Sequence, residues 1–211
     1  MTVIFSMKTN QMLKKEAVKK KIGKAAMQCF RKYGLEKTTL DDIAKAAGMS
    51  KTGFYYYFKN KEDIFLETAF EEGWAFLADL QKKTARKKDI GKKIWYYLQS
   101  RFLYYEHVLR VSKVNTVTLN TILPSFFNLY DEMREKEKEY LKQVLQLAVA
   151  QGALKKINTA QTASLLINVS DALKHSTEQK SILRGEEKVD YRQSMADLKL
   201  FVDQVIQNAL P

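Results

Sequence analysis

The sequence has few of the residues that break helices or build tight turns. It contains two prolines and eight glycines in 211 residues. Proline interrupts helices because it lacks a backbone N–H and its ring clashes with the preceding turn. Glycine is a usual residue of the turns between β-strands. The scarcity of both argues against a β-rich protein and favours a chain that is helical almost throughout.

Cysteine and histidine are also nearly absent. The single cysteine, Cys29, cannot form an intramolecular disulfide, which is typical of a protein in a reducing cytoplasm. The two histidines, His107 and His175, lie far apart in the sequence, and no metal-binding, phosphate-loop, dinucleotide or serine-hydrolase motif accompanies them. We therefore expect a protein that is not an enzyme and that requires no metal ion or other cofactor.

Long apolar segments are missing as well. No stretch approaches the roughly 20 apolar residues that span a bilayer, and the apolar run at Val3, Ile4 and Phe5 is too brief for a secretory signal. These absences predict a soluble, cytoplasmic protein with no membrane partner. Either Met1 or Met7 fits as the native start, because none of the motifs described below depends on the choice.

Positive charge, in contrast, is abundant and concentrated near the N-terminus. The formal net charge is +12, and residues 1–61 carry 14 of the 36 basic residues but only 4 of the 24 acidic ones. Such a concentration favours a polyanionic partner, because each neutralised phosphate releases a condensed counterion. A solvated lysine-rich helix face would give the same pattern, so charge alone does not identify the partner.

Apolar residues recur at steps of three and four along most of the chain, which is the period of an amphipathic helix. In the first such segment Ile22, Ala26 and Phe30 share one face, and Gly34 is suited to end the helix. The pattern predicts an all-α fold of about nine helices, the first three of which form an N-terminal domain over residues 1–60. The helices are expected near residues 12–33, 40–47, 51–58, 61–84, 88–111, 116–122, 125–151, 159–182 and 191–209.

The segment 39–58 has the pattern of a helix-turn-helix. Thr39 precedes the first helix as an N-cap with an acidic residue three positions later, and Ser50 caps the second helix. Ala44 is small enough for a close crossing of the two helices, and Gly48 tolerates the positive φ that the turn requires. These constraints together are far more specific than any one of them.

The second helix of such a motif enters the major groove with its N-terminal residues against the base edges. Lys51 and Thr52 can bond to bases or phosphates, and Gly53 lets the backbone approach DNA, which offsets the roughly 1 kcal/mol that a glycine costs inside a helix. Tyr55 and Tyr56 can present hydroxyls to phosphates. Ser50 fits either as a cap or as a base contact. The predicted DNA contacts of this region are Ser50, Lys51, Thr52, Gly53, Tyr55, Tyr56 and Lys61.

A longer set of positions between residues 18 and 66 follows one known pattern. The matching residues are Ile22, Ala25, Ala26, Phe30, Tyr33, Gly34, Thr38, Thr39, Ile43, Ala44, Ala46, Ala47, Gly48, Met49, Ser50, Tyr55, Tyr57, Phe58, Lys61 and Glu62. This pattern closely resembles the N-terminal signature of the TetR family of transcriptional regulators. The resemblance covers about a quarter of the chain and is specific within that window.

The resemblance implies a three-helix DNA-binding domain followed by a larger helical domain, residues 61–211, that dimerises and binds a small effector. Matched by position, the family's DNA-facing residues fall on Thr38, Thr39, Lys51, Thr52, Gly53, Tyr55, Tyr56 and Lys61. The chain has Thr52-Gly53 where the family often has Gly-Thr, so no relative's base preference can be transferred to it.

Family resemblance also places the dimer interface in the last two long helices. An apolar stripe at helical spacing along these helices could form that interface, or it could form an intramolecular core. The predicted interface residues are Ala163, Ile167, Ser170, Met195, Leu198, Val202 and Val205.

An effector pocket is expected among the aromatic residues of the middle helices. Their character favours a small, mostly apolar or aromatic ligand, although aromatic residues at helical spacing are more often core. The predicted pocket residues are Trp95, Phe102, Tyr105, Asn120, Phe126, Phe127 and Tyr130.

The function expected from the sequence is that of a homodimeric regulator that binds double-stranded operator DNA, typically a repressor released by an effector. The helix from Lys61 to about Thr84 would transmit the change, because it belongs to both domains. The alternative is a basic helical module that binds proteins or a membrane surface without sequence-specific DNA binding. That alternative explains the charge but not the spacing of Ala44, Gly48 and Phe54.

Overall fold

The computed structural model describes the backbone of residues 2–211 and the side chains of residues 13–127 and 129–211. Met1 and the side chain of Met7, the two candidate starts, lie outside the described residues. Residues 2–211 contain eight α-helices and no β-strand, which confirms the all-α prediction. The helices are α1 (Thr2–Tyr33), α2 (Leu40–Ala47), α3 (Lys51–Tyr55), α4 (Lys61–Ala85), α5 (Ile90–Val111), α6 (Thr116–Ala150), α7 (Thr159–Leu183) and α8 (Arg192–Ala209).

The helix boundaries differ from the prediction in three places. The segments expected at 116–122 and 125–151 form one helix, α6, with Pro124 inside it. Pro124 is exposed, so water can reach the carbonyl that the proline leaves without an N–H partner. Helix α1 begins at Thr2 instead of near residue 12. Helix α3 ends at Tyr55, and the chain continues through a turn in which Tyr57 and Phe58 donate to the Phe54 carbonyl.

The described chain forms two compact units, and the first comprises Met1–Glu72 and Leu109–Val114. Its core is built from the apolar stripe of α1 and from residues of α2, α3 and the start of α4. Phe30 packs edge-on against Phe65 with ring centroids 5.9 Å apart. Burial of each large apolar side chain contributes about 1.5–3 kcal/mol to stability. The fully buried residues of this core include Ile22, Ala26, Phe30, Ile43, Phe54 and Ile64.

The second unit comprises Gly73–Val108 and Asn115–Pro211. In it α6 packs along α7, and α7 packs against α8. Its fully buried apolar residues include Ile94, Tyr97, Leu141, Leu145, Ile167 and Leu198. None of the helices in the described part of the chain is long and apolar enough to cross a membrane.

The compact units do not follow the predicted domain boundary at residue 60. The first turns of α4 belong to the first unit, because Phe65 packs against α1 and Glu67 accepts hydrogen bonds from Lys19. Helices α4 and α5 therefore each contribute residues to both units.

Candidate functional site

The structure builds the turn between α2 and α3 with the predicted capping residues. The Asp42 amide donates to Thr39 Oγ1 at 3.2 Å, and the Thr39 amide donates to Asp42 Oδ2 at 2.9 Å, which completes a capping box. The Thr39 hydroxyl also donates to Asp42 Oδ2 at 2.6 Å, and this bond, together with that from the Thr39 amide, holds the pKa of Asp42 below its usual value. Gly48 ends α2 in the left-handed region at φ 63°, where a side chain would be strained. The exit direction of α2 is thus fixed by local chemistry.

Helix α3 is short, and its first turn is held by Ser50. The Gly53 amide donates to Ser50 Oγ at 3.2 Å, so Ser50 acts as the N-cap. A Cβ atom at position 53 would lie 3.2 Å from the same oxygen. This close contact is a local structural reason for a glycine at position 53. It adds to the reason that the sequence suggested, which is the approach of the backbone to DNA. Phe54 anchors the helix because its side chain is fully buried.

Opposite Phe54, α3 presents polar side chains to solvent. Lys51 and Thr52 are exposed, and Tyr55 and Tyr56 are 48% and 68% exposed. The Lys51 ammonium lies 3.0 Å from Asp41 Oδ1, and its hydrogen bond to Asp41 raises the pKa of Lys51. Lys51 is therefore a charged, outward-facing group, and DNA can replace Asp41 as its partner.

Two of the residues predicted to face DNA instead brace the loop between α1 and α2. Thr38 is only 1% exposed, and its hydroxyl donates to the Gly34 carbonyl at 2.7 Å. The Lys61 ammonium donates to the carbonyls of Glu36 and Thr38 at 2.6 and 3.0 Å. In this conformation both side chains stabilise the loop that precedes α2.

The lysines of α1 divide into paired and unpaired groups. Lys19 binds both carboxylate oxygens of Glu67 at 2.7 and 2.9 Å, and Lys20 lies 3.8 Å from Glu71. The Lys15 ammonium stands 5.3 Å from the centre of the Tyr56 ring. Within the described part of the chain, no ion pair holds Lys14, Lys21 and Lys24, which are all exposed.

Two helices joined by a left-handed glycine turn, with the second helix capped and outward-facing, define a helix-turn-helix. Proteins of this class place that second helix in the major groove of DNA. Residues 22–68 match the model of the family described as bacterial regulatory proteins, tetR family. Residues 22–68 therefore form a DNA-binding domain of the TetR family, which makes the chain a DNA-binding transcriptional regulator.

Similar proteins extend the likeness beyond the motif. An uncharacterized HTH-type transcriptional regulator of Bacillus subtilis, YfiR, is 26% identical over 87% of this chain and 89% of its own length. The regulator RutR of Escherichia coli is 33% identical over 36% of this chain and 42% of its own. A transcriptional regulator from Cytophaga hutchinsonii superposes with a TM-score of 0.68 at 25% identity, over 89% of this chain and 93% of that one.

The second unit brings together most of the residues predicted to line an effector pocket. Phe126 packs against Tyr105, Phe127 and Tyr130, with ring centroids between 5.3 and 6.0 Å apart. Phe102 is connected to this group through Tyr191. Two predicted residues lie elsewhere: the Trp95 ring stands near Lys199 at 5.5 Å, and Asn120 is exposed on α6.

A buried group of charged residues, which the sequence analysis missed, adjoins these rings. The guanidinium of Arg101 bonds Glu137 at 2.8 Å and Asp171 at 3.0 Å. The Tyr130 hydroxyl accepts from Arg101 and lies 3.1 Å from Glu137 Oε2 and 3.2 Å from Asp171 Oδ1, and it donates its one hydrogen to one of these carboxylates at a time. Burial would lower the pKa of Arg101, but Glu137 and the other acidic partners hold it well above its usual value. This group is the polar centre of α5, α6 and α7.

The sequence contains a signal for this centre. Asp171, Lys174, His175 and Glu178 follow one another at the spacing of a single helix face, and that face continues the apolar stripe that includes Ile167. Charged residues on a stripe that is otherwise apolar indicate buried, paired charges. Their partners on α5 and α6 are distant in sequence and could not be assigned without the fold.

A cavity of about 330 Å³ lies between α4 and α6 within the second unit. Its walls contain none of the predicted pocket residues, but Glu137 of the buried polar centre lines it. The lining residues are Trp74, Leu77, Ala78, Gln81, Lys136, Glu137, Glu139, Tyr140 and Gln143. Among the residues with described side chains, no group of three or more His, Cys, Asp or Glu is arranged to hold a metal ion.

The predicted dimer stripe is largely buried within the second unit, where Ser170 accepts a hydrogen bond from Arg101 of α5 at 2.9 Å. Ala163, Ile167, Ser170, Leu198 and Val202 are at most 1% exposed, and Met195 and Val205 are half-buried. This is the intramolecular alternative that the sequence left open. The same two helices expose other apolar residues, notably Leu165 at 46% and Leu200 at 62%.

Proposed function

We propose that this regulator is a homodimeric repressor that binds an operator through α3 and leaves it when a small-molecule effector binds the second unit. The observation that carries the proposal is the outward face of α3, which the caps of Thr39 and Ser50 hold in place within the most basic part of the chain. That surface has the donors, the charge and the small residue that a major-groove contact needs.

The DNA contacts divide by chemistry. Lys51 and Thr52, at the N-terminus of α3, reach the base edges, and Gly53 lets the backbone approach. The hydroxyls of Tyr55 and Tyr56 donate hydrogen bonds to phosphates, and Thr39 adds a contact from the start of α2. Thr38, Ser50 and Lys61 act by holding the motif in shape.

The unpaired lysines of α1 contribute in a different way. Lys14, Lys21 and Lys24 are exposed and lack an ion-pair partner within the described residues, so their charge is available to attract the polyanion. Such contacts raise affinity and the association rate without distinguishing one sequence from another.

For the dimer, we propose the exposed faces of α7 and α8 in place of the buried stripe. Leu165, Asn168 and Ala172 are exposed at the spacing of one face of α7, and Ala196 and Leu200 are exposed on α8. A second copy would bury these side chains across a twofold axis. Half-sites one helical turn apart require the two recognition helices of such a dimer to lie about 34–36 Å apart.

Release follows if the effector prefers a dimer whose recognition helices have a different separation. Helices α4 and α5 are suited to transmit that change, because each contributes residues to both compact units. An effector that moves the population from 1:99 to 99:1 needs about 5.5 kcal/mol of differential binding.

The test is fluorescence anisotropy of the full chain on DNA from upstream of its own gene and on operators selected from a random library, with random-sequence competitor present. We expect binding with two chains per operator that survives the competitor. If a dimer makes 6–10 phosphate contacts, its affinity falls about 10³–10⁵-fold between 50 and 200 mM salt. Binding that no library sequence improves would refute the proposal and favour the basic helical module.

A further inference from the structure

The face of α7 that carries Asp171, Lys174 and His175 has buried polar atoms that the fold leaves without partners. Asp171 is 7% exposed; its Oδ1 accepts from Arg101 and Tyr130. Its second oxygen, Oδ2, is buried and accepts no hydrogen bond from any described residue. An unpaired buried carboxylate oxygen costs free energy, so this atom indicates a site for a donor group.

Lys174, one turn along the same face, presents the opposite chemistry. It is 5% exposed, and its ammonium stands 3.9 Å from the centre of the Tyr105 ring, 5.4 Å from that of Phe126 and 5.5 Å from that of Tyr130. Within the described part of the chain the ammonium has these aromatic contacts but no hydrogen bond or ion pair. Burial lowers the pKa of Lys174, opposed by the nearby charges of Asp171 and Glu178. Lys174 thus supplies unused donors.

His175 contributes a second acceptor. Its Nδ1 lies 2.6 Å from Glu178 Oε2. Burial would raise the pKa of Glu178, but hydrogen bonding to His175 and the charge of Lys174 lower it, so the carboxylate is ionised and accepts. In the tautomer that donates from Nδ1 to Glu178, Nε2 is an acceptor. That nitrogen is buried and has no partner among the described residues.

The surroundings of these three groups are aromatic and open to solvent at one edge. The Phe127 ring packs against His175 with centroids 4.7 Å apart, and Phe127 is 42% exposed. Phe126 and Tyr105 are half-buried beside it. An aromatic ligand that enters at this edge would pack on the faces of these rings, next to the buried polar atoms.

We propose that this cluster binds the head group of the effector and that the head group is an uncharged carboxamide on an aromatic body. The amide carbonyl accepts from the Lys174 ammonium, and its two N–H groups donate to Asp171 Oδ2 and His175 Nε2. The role as an effector site rests on the proposed function, whereas the preference for a carboxamide does not.

The same three groups discriminate against charged ligands of the same shape. A carboxylate has no hydrogen to donate to Asp171 or His175, and it meets the negative charge of Asp171. An amidinium satisfies those two acceptors but has no acceptor for Lys174, and it places a second cation beside the ammonium. Unpaired buried polar groups of this kind produce strong selectivity.

Benzamide, benzoate and benzamidinium are planar probes of nearly equal size that isolate this difference. Their dissociation constants are measured on the full chain without DNA, by ligand-observed NMR titration. We expect benzamide to bind at least about tenfold more tightly than either charged probe, which corresponds to about 1.4 kcal/mol. Equal affinities, tighter binding of a charged probe, or no binding of benzamide would overturn the proposal.

Two variants test the roles of single atoms. Asp171→Asn replaces the acceptor Oδ2 with an amide donor, so the preference should shift from benzamide toward benzoate. Lys174→Met removes the donor and should weaken benzamide at least about tenfold, while Lys180→Met, an exposed lysine on the same helix, should leave it unchanged. Circular dichroism checks that each variant is folded, and the selectivity of the unaltered protein stands without them. A folded Asp171→Asn protein that keeps the original preference would contradict the assignment.

The outcomes separate this site from the proposed function. Selective binding of benzamide by a protein that does not bind operator DNA would support the proposed carboxamide site and refute the proposed repressor function. Operator binding without selectivity for benzamide would support the proposed repressor function and refute the proposed carboxamide site. A rise in the dissociation constant for operator DNA on addition of benzamide would support both.

Discussion

The two compact units use charged residues in opposite ways. In the first unit the charged side chains lie at the surface: Lys51 pairs with Asp41 while both remain more than half exposed, and most lysines of α1 face solvent. In the second unit Arg101, Glu137 and Asp171 form a buried group whose side chains are at most 10% exposed. Surface charge remains available to an external polyanion, whereas buried, paired charge fixes the relative positions of the helices that carry it.

This contrast predicts very different costs for removing a charge. Arg101→Met leaves Glu137 and Asp171 buried without their cation, so we expect a loss of about 3–5 kcal/mol in the free energy of unfolding. Lys20→Met removes a surface partner of Glu71 and should change stability little. Urea unfolding followed by circular dichroism measures both.

A triple variant sharpens the interpretation. Arg101→Met combined with Glu137→Gln and Asp171→Asn removes the whole set of charges, and it should recover much of the stability that Arg101→Met alone loses. If Arg101→Met were as harmless as Lys20→Met, the distinction between buried and surface charge would fail.

A smaller effect is expected at the turn of the helix-turn-helix, where backbone geometry matters instead of charge. Gly48 has a φ of 63°, and the nearest atom to a Cβ there would be Lys21 Nζ at 3.9 Å. Space is available, so Gly48→Ala should cost only the strain of a left-handed residue, about 1–2 kcal/mol.

Gly48→Asn is the matched control, because asparagine tolerates this conformation better than alanine. Thermal unfolding of the two variants should place the asparagine form between the native protein and the alanine form. Equal stability of Gly48→Ala and the native protein would show that the turn does not depend on the glycine.

The sequence predicted the first unit in greater detail than the second for a physical reason. The caps at Thr39 and Ser50, and the turn at Gly48, depend on residues within three or four positions of one another, so the sequence displays both partners together. The exceptions are Thr38 and Lys61. Lys61 donates to carbonyls more than 20 residues away in sequence, and spacing alone could not reveal that contact.

In the second unit the decisive contacts are long-range. The helical periodicity gave the helices and the apolar stripe of α7, but a stripe has the same spacing whether it faces its own α8 or a second chain. Arg101 bonds residues 36 and 70 positions away. The predicted aromatic residues came together because α5 and α6 present them to α7, whereas Trp95 and Asn120 lie on other faces of the same helices.

The most direct test of the central claim, that the outward face of α3 binds the operator, is the effect of Lys51→Ala on operator affinity as a function of salt. The control is Lys156→Ala, which makes the same change of charge at an exposed position in the second unit. If Lys51 contacts a phosphate in each half-site, the slope of log affinity against log salt should become shallower by about 1.8 per dimer, since each lost phosphate contact removes about 0.9. If Lys51 contacts a base, specific affinity should fall about 1–3 kcal/mol per half-site with the slope nearly unchanged. The Lys156→Ala protein should bind like the native one in either case. Equal behaviour of the two variants would contradict the account, because it would mean that only the total charge of the chain, and not the face of α3, determines binding to DNA.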